Sequence, residues 1–232
     1  MMIGREIEDI DIRMPIDAYD IGKDTPTFNA YLTAVVRNSD GRVIRVHRQR
    51  SHSPTANFIG LMLPLSYFNT ANNSFTLTTT GGSTYTFKPG IGTSARCISY
   101  PNTANNYYSY LVMIQVGSGT RSNPFNAYSL AAPIANGSGT GQLIYGSVSV
   151  PSNITVSGNE AYFTISQAFN NSSGATVTIT EVGIIIYLQT ASSAAGNTNI
   201  GQLLVWYDVL SSAISVPNGG SVVIYYTFMV NP

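Results

Sequence analysis

Ionised side chains are scarce in this chain of 232 residues: only 9% are Asp, Glu, Lys or Arg, against about 25% in an average soluble domain. Eleven bases balance eleven acids, so the formal net charge is zero. Cysteine occurs once, at Cys97, which excludes an intrachain disulfide and any multi-cysteine metal site. Histidine occurs twice and tryptophan once. The longest nearly unbroken apolar run, Phe58 to Leu65, falls far short of the roughly 20 residues of a membrane-spanning helix. The opening Met1-Met2-Ile3-Gly4-Arg5-Glu6-Ile7-Glu8-Asp9 places acids where a secretory signal carries its apolar stretch, so classical export of the chain as written is not expected.

What the chain does contain is a folding composition. Hydrophobic residues reach 44%, with 15 tyrosines and 21 glycines, which excludes disorder driven by high charge and low hydropathy. The charges are unevenly placed. Residues 1–50 hold 16 of the 22, and the other six are Lys88, Arg96, Arg121, Glu160, Glu181 and Asp208. The body must therefore present hydroxyls, amides and tyrosines to its surroundings. Such a surface repels copies of itself weakly, because a net charge far from zero is one device that keeps proteins monomeric. With three carboxylates after residue 50, few groups in the body can be protonated to its cost in acid.

Strands dominate the pattern. In Asp9-Ile10-Asp11-Ile12-Arg13-Met14-Pro15-Ile16 the alternation puts Ile10, Ile12, Met14 and Ile16 on one face, and Pro15 confines this strand to an edge or an arm. The hairpin from Asn29 to Arg50 turns at Asn38-Ser39-Asp40-Gly41, with Asp-Gly as its turn signal. Thr55 to Leu63 fits a short helix stopped by Pro64. A second hairpin turns at Gly81-Gly82-Ser83, and Gly117 to Thr140 reads as a long loop. Six further strand-like stretches follow from Tyr107 onward. About ten strands in antiparallel succession, without helices between them, predict an all-β antiparallel β-sandwich: a single jelly roll of 8–10 strands with one short helix. Residues 1–28 are assigned to an extended N-terminal arm and 29–232 to one sandwich domain.

No catalytic pattern emerges. His47 and His52 lack the third and fourth ligands of a zinc or copper site. No serine lies in a Gly-x-Ser-x-Gly elbow. Gly117–Arg121 and Gly137–Gly141 resemble phosphate loops but lack Gly-Lys-Ser/Thr. Paired carboxylates for glycoside hydrolysis would have to come from Glu160, Glu181 and Asp208. No enzyme activity and no cofactor are expected. Arg37, Arg42, Arg45, Arg48 and Arg50 form a basic cluster opposed only by Asp40, a candidate contact for nucleic acid or a protein partner. In the second hairpin arm Val43, Arg45, His47 and Gln49 face one way and Ile44, Val46, Arg48 and Arg50 the other, so no single flat phosphate-binding stripe results. Asn72, Asn136, Asn153, Asn170 and Asn171 match the glycosylation pattern, and Trp206, set in an apolar strand, is expected in a core or interface.

Two stretches carry a resemblance: Arg48 to Phe58, a hairpin followed by a helix, and Thr180 to Ile184 together with Asp208 to Thr227. The latter is similar to the closing strands of β-sandwich structural proteins of thermophilic archaeal viruses and phages. The resemblance implies a virion component, capsid or appendage, and carries over no functional residue. The expectation is a structural protein that binds itself and other virion proteins, with Ile10, Ile12, Met14 and Ile16 docking on a neighbouring subunit. The alternatives are an extracellular pilus or thread subunit assembled by donor-strand exchange, and a glycan-binding module stacking sugars on Tyr and Trp206.

Overall fold

The computed structural model describes residues 27–51, 53–66, 75–87, 112–192 and 196–231. These form an all-β antiparallel sandwich with one short helix. The arm Ile10, Ile12, Met14 and Ile16 lies outside the described residues, as do His52 and Cys97. Strand β1 (Thr27–Arg37) already includes Thr27 and Phe28, so the sheet begins two residues before the boundary the sequence suggests.

The first sheet, sheet A, is ordered β2 (Val43–Ser51), β1, β11 (Ser221–Asn231), β8 (Glu160–Asn170) and β6 (Ile144–Ser149), with β7 (Thr155–Ser157) also on β8. Sheet B is ordered β10 (Gly196–Val216), β9 (Val177–Ser192) and β5 (Val112–Gly117). A small hairpin, β3 (Phe75–Thr78) with β4 (Thr84–Phe87), stands apart. The last four strands form a folded-over ribbon: β8 pairs β11 in one layer while β9 pairs β10 in the other. A double ribbon bent across two layers is the wrapping element of jelly-roll folds.

Period-two alternation builds the core. Leu32, Ala34 and Val36 of β1, Val222, Ile224 and Tyr226 of β11, and Ile165 and Phe169 of β8 face inward from sheet A. Ile114 and Val116, Val182 and Ile184, and Leu203, Ile214 and Val216 meet them from sheet B. The β9–β10 register shifts three times, first between Asn199 and Gly201. Between Leu204 and Trp206 it shifts again, so Val205 and Trp206 both join the main core. A third shift between Val209 and Ile214 leaves residues 210–213 as a bulge, with Leu210 still in the main core and Ser211, Ser212 and Ala213 exposed, and the strand resumes to Val216. Bulges of this kind re-aim side chains and bend a strand.

The first hairpin turns as expected, with Asn38 N–H bonded to Arg42 O, Gly41 N–H to Asn38 O, and Gly41 at φ 79°. A type I turn followed by a left-handed glycine needs no side chain at that position. Helix α1 (Ala56–Ser66) runs past Pro64 instead of stopping before it. Its polar residue Asn57 fastens it: the amide donates to Thr78 O (2.8 Å) and Leu204 O (3.2 Å) and accepts from Thr78 N–H (2.9 Å). No helix among the described residues is long and apolar enough to cross a membrane.

Candidate assembly face

Sheet B is covered over part of its outer face, while Thr178, Val209 and Ser215 are exposed. Across its outer face lies the long loop after β5, whose Ala127 and Leu130 pack on Ile185, Leu204 and Tyr207. One buried carboxylate holds that loop. Glu181, 0% exposed, accepts N–H bonds from Gly119 (3.1 Å), Ala131 (2.9 Å) and Ala132 (2.7 Å), and the Tyr207 hydroxyl donates to it at 2.6 Å. The approach is so close that a Cβ at Gly117 would collide with this carboxylate and lie 2.7 Å from the Ala132 carbonyl oxygen.

The edges of sheet B are closed by side chains and short backbone pairings. On β10, Thr55 N–H bonds Val205 O, Tyr207 N–H bonds Ser53 O and Thr80 N–H bonds Gln202 O. Further along, Gln49 bridges the bulge, donating to Val209 O (3.1 Å) and accepting from Ser211 N–H (2.9 Å). Arg45 donates to Ala213 O (2.8 Å) and Ser212 Oγ (2.7 Å). On β5, Gln167 accepts from Ile114 N–H (2.7 Å) and donates to Gly146 O (2.9 Å), while Ile134 N–H bonds Val116 O. Side-chain amides thus occupy edge groups that would otherwise invite another strand.

Sheet A is different. Among the described residues no strand or helix packs on its outer face, which successive cross-strand rows define. One row is Val46, Val35, Val223 and Ala168; the next is Arg48, Thr33, Tyr225 and Ser166; the third is Arg50, Tyr31, Thr227 and Thr164. Asn29, Met229 and Tyr162 follow. Tyr31, Tyr162 and Tyr225 are half-buried, and Ile44 and Val46 are exposed at the β2 end. Four long strands spaced about 4.8 Å apart and rising about 3.3 Å per residue give a surface of about 700 Å² in plan. Asn29, Thr33, Val35, Thr227 and Met229 in its middle are already buried, so its accessible part lies in the arginine and tyrosine side chains and at the β2 end. Tyrosine and arginine, the charged and aromatic types found here, are those enriched in interface hot spots.

The five arginines divide. Arg45 is committed inward to the β10 bulge. Arg37 shares the outer parity of β1, exposed at its end, and bonds Gly41 O (2.9 Å); Arg50 bonds Asn29 Oδ1 (2.7 Å); Arg48 is half-buried between them, and Arg42 is exposed in the turn. Glu160, at the far corner of β8, is the one carboxylate with the same outward parity on the described strands of this sheet.

The remaining candidates serve the fold. His47 has Nε2 on Gln49 Oε1 (2.9 Å) and Nδ1 on Ser212 Oγ (3.3 Å), so both ring nitrogens are engaged. Among the described residues no three of His, Cys, Asp or Glu come together. Glu181 pairs with Val209 and Asp208 with Val182, successive positions that send the two carboxylates to opposite faces of sheet B, so they cannot flank one bond. Of the phosphate-like loops, the first has its Gly119 N–H on Glu181 and the second its Gly139 N–H on Gln142 Oε1 (2.9 Å). Asn171 is 1% exposed and bonds Ala175 O and Val216 O, which removes it as a glycosylation acceptor in the folded chain.

Trp206 is 3% exposed, T-shaped against Phe58 and Phe228, and is no platform for a sugar. Its indole N–H bonds Ser51 Oγ, and Ser51 in turn donates to buried Asp208, which also accepts from Tyr226 at 2.9 Å. Asp208→Ala is expected to lower stability by about 3 kcal/mol, since it strands two buried hydroxyl donors that bond a charged group. Urea unfolding followed by fluorescence of this single tryptophan checks it.

No protein-family model, no curated protein and no solved structure matches this chain.

Proposed function

We propose that this chain is a structural subunit that associates with copies of itself, as a component of a virion shell or surface appendage. The observation that carries the reading is the asymmetry of the sandwich. One layer is covered in part by its own loop and stitched along both edges. The other presents a broad face of tyrosine, valine, threonine and arginine that no described element covers. Tyrosine joins an apolar body to a polar tip and suits contacts that form from water. The near absence of charge in the body removes most long-range repulsion between subunits. The likeness of the closing strands to β-sandwich virion proteins supports a viral setting, and the folded-over ribbon of β8 to β11 is in keeping with it.

The test is assembly itself. Purified protein is expected to form closed shells, rings or filaments by electron microscopy at neutral pH, with a matching shift in sedimentation. A chain that stays monomeric at high micromolar concentration, at neutral and at low pH, sinks the proposal.

A further inference from the structure

Within the assembly reading, on which this inference rests, the outer face of sheet A has a definite electrostatic demand. Its outward-facing ions are Arg37, Arg48 and Arg50, with Arg42 at the hairpin tip; Asp40 lies in the same turn and Glu160 at the opposite corner. Two such faces meeting about a two-fold axis that superposes their β2 edges would bring arginines towards arginines, and like charges juxtaposed at an interface are strongly disfavoured. The face therefore suits an acidic occupant. After residue 50 the chain offers only Glu160, Glu181 and Asp208, and the last two are buried. Acids are concentrated instead in residues 1–26, which carry Glu6, Glu8, Asp9, Asp11, Asp17, Asp20 and Asp24 against Arg5, Arg13 and Lys23. In the same segment Ile10, Ile12, Met14 and Ile16 alternate with Asp9, Asp11 and Arg13. An extended segment so patterned presents Ile10, Ile12, Met14 and Ile16 on one side, with Glu6 and Glu8 of the same parity, and turns Asp9 and Asp11 to the other.

We propose that residues 1–26 of a neighbouring copy dock on the outer face of sheet A, with Glu6 and Glu8 against Arg37 and Arg50 and the isoleucines of the same parity against the valine and tyrosine rows. The occupant is a segment of a second copy, so each subunit both gives and receives one. Such an interface is heterologous: it closes into a ring or propagates according to the rotation between copies. Ion pairs at its rim steer encounter and fix register, while the apolar rows supply most of the affinity.

A charge-exchange experiment on the full chain tests this. One variant reverses the face, Arg37→Glu with Arg50→Glu; Arg48 is left intact because its Nε is fully buried. The other reverses the segment, Glu6→Lys with Glu8→Lys. Each variant alone is expected to lose assembly at least tenfold in critical concentration, with circular dichroism and melting temperature close to the parent. Mixed in equal amounts, the two are expected to co-assemble, because the acidic segment of the first meets the basic face of the second and the reverse. Combining all four substitutions in one chain is expected to restore assembly as well.

If the four-substitution chain assembles but the mixture does not, the segment docks on its own subunit and the inference falls. If both variants assemble like the parent, the inference falls while self-association stands. If the parent never assembles, the assembly reading fails first and this inference with it. If the parent binds a duplex oligonucleotide with strong salt dependence, the face variant does not, and the mixture is not rescued, the arginines serve phosphates and the proposal is overturned. Where a variant's circular dichroism departs from the parent, the milder pair Arg37→Gln with Arg50→Gln replaces it. This pair is expected to weaken assembly, and parent-like assembly counts against the inference.

Discussion

Replacing Glu181 with alanine is expected to destabilise the protein by about 4 kcal/mol and to free the loop that covers sheet B. Four donors converge on this one side chain: the backbone N–H groups of Gly119, Ala131 and Ala132 and the hydroxyl of Tyr207. Each buried donor left without an acceptor costs about 1 kcal/mol or more. Relaxation and water entry keep the total near the upper end of single-residue effects. For a chain of this length 1 kcal/mol lowers the melting temperature by about 2–4 °C, so a fall on the order of 10 °C follows.

Glu181→Gln keeps one carbonyl oxygen but turns an NH2 towards N–H donors, and its loss is expected to be smaller, about 2 kcal/mol. The loop supplies its own reporter. Arg121 is the only Lys or Arg between Arg96 and the end of the sequence. Trypsin is expected to cut after it rapidly in Glu181→Ala and slowly in the parent. Parent-like urea midpoints together with parent-like resistance at Arg121 would falsify the role given to Glu181. The same variant bears on function, because exposure of Leu130, Leu204 and Tyr207 would give sheet B an apolar outer face and invite disordered aggregation in place of defined particles.

The layout of the sandwich is legible in the sequence because it rests on local signals. Alternation in Tyr31–Val36 and Val222–Phe228 states which residues face the core, and Asp40-Gly41 and Asn218-Gly219 mark turns that the glycines make with φ 79° and 76°. Sheet B is harder to read, since its register shifts three times. Val205 and Trp206 are neighbours that both face inward, which contradicts any alternation, and Ser211-Ser212-Ala213 has the composition of a loop although the strand resumes beyond it. A bulge is favoured by what it meets in space, here Gln49 and Arg45 from another sheet.

The same limit applies to the side chains that organise the molecule. Glu181, Gln49 and Gln167 lie in strand-like stretches where a polar residue reads as solvent-facing. Their partners in other elements lie 21–162 residues away, among them Gly146, Ile114, Gly119 and Ser211, and only tertiary structure brings them together. One signal was available: a lone carboxylate such as Glu181, set in a long apolar strand of a nearly uncharged body, needs hydrogen-bond donors around it. The division of the arginines between two faces of β2, by contrast, follows directly from period-two geometry, and the structure places Arg45 inward and Arg48 and Arg50 outward.

Alkaline pH is expected to unfold the protein cooperatively. Tyr226 lies buried, and its hydroxyl is raised well above the ordinary value of 10.0 by that burial, with the charge of Asp208 and the hydrogen bond to it adding to the effect. Burial also raises Tyr207, reinforced by the hydrogen bond and charge of Glu181. Tyr145 is raised by burial too, partly offset by the N–H of Val116 donating to its oxygen. Above pH 10 the unfolded chain releases these protons while the folded one keeps them, so the unfolded state binds fewer protons and stability falls as pH rises. Below pH 10 both states are protonated and the contribution is fully present. Each such group removes about 1.4 kcal/mol per pH unit, and three together about 4 kcal/mol per unit. A total stability of roughly 5–15 kcal/mol is then exhausted within about one to four units above pH 10. Tyrosinate absorbance at 295 nm should show a late stage from the buried three, in step with loss of strand circular dichroism. In Tyr226→Phe the hydroxyl that Asp208 accepts from is gone, and one buried titration with it, so the late transition should move to higher pH relative to the stability at pH 8. A single non-cooperative titration near pH 10, with circular dichroism unchanged, would show that the three hydroxyls are open to solvent and that the buried carboxylate networks do not exist.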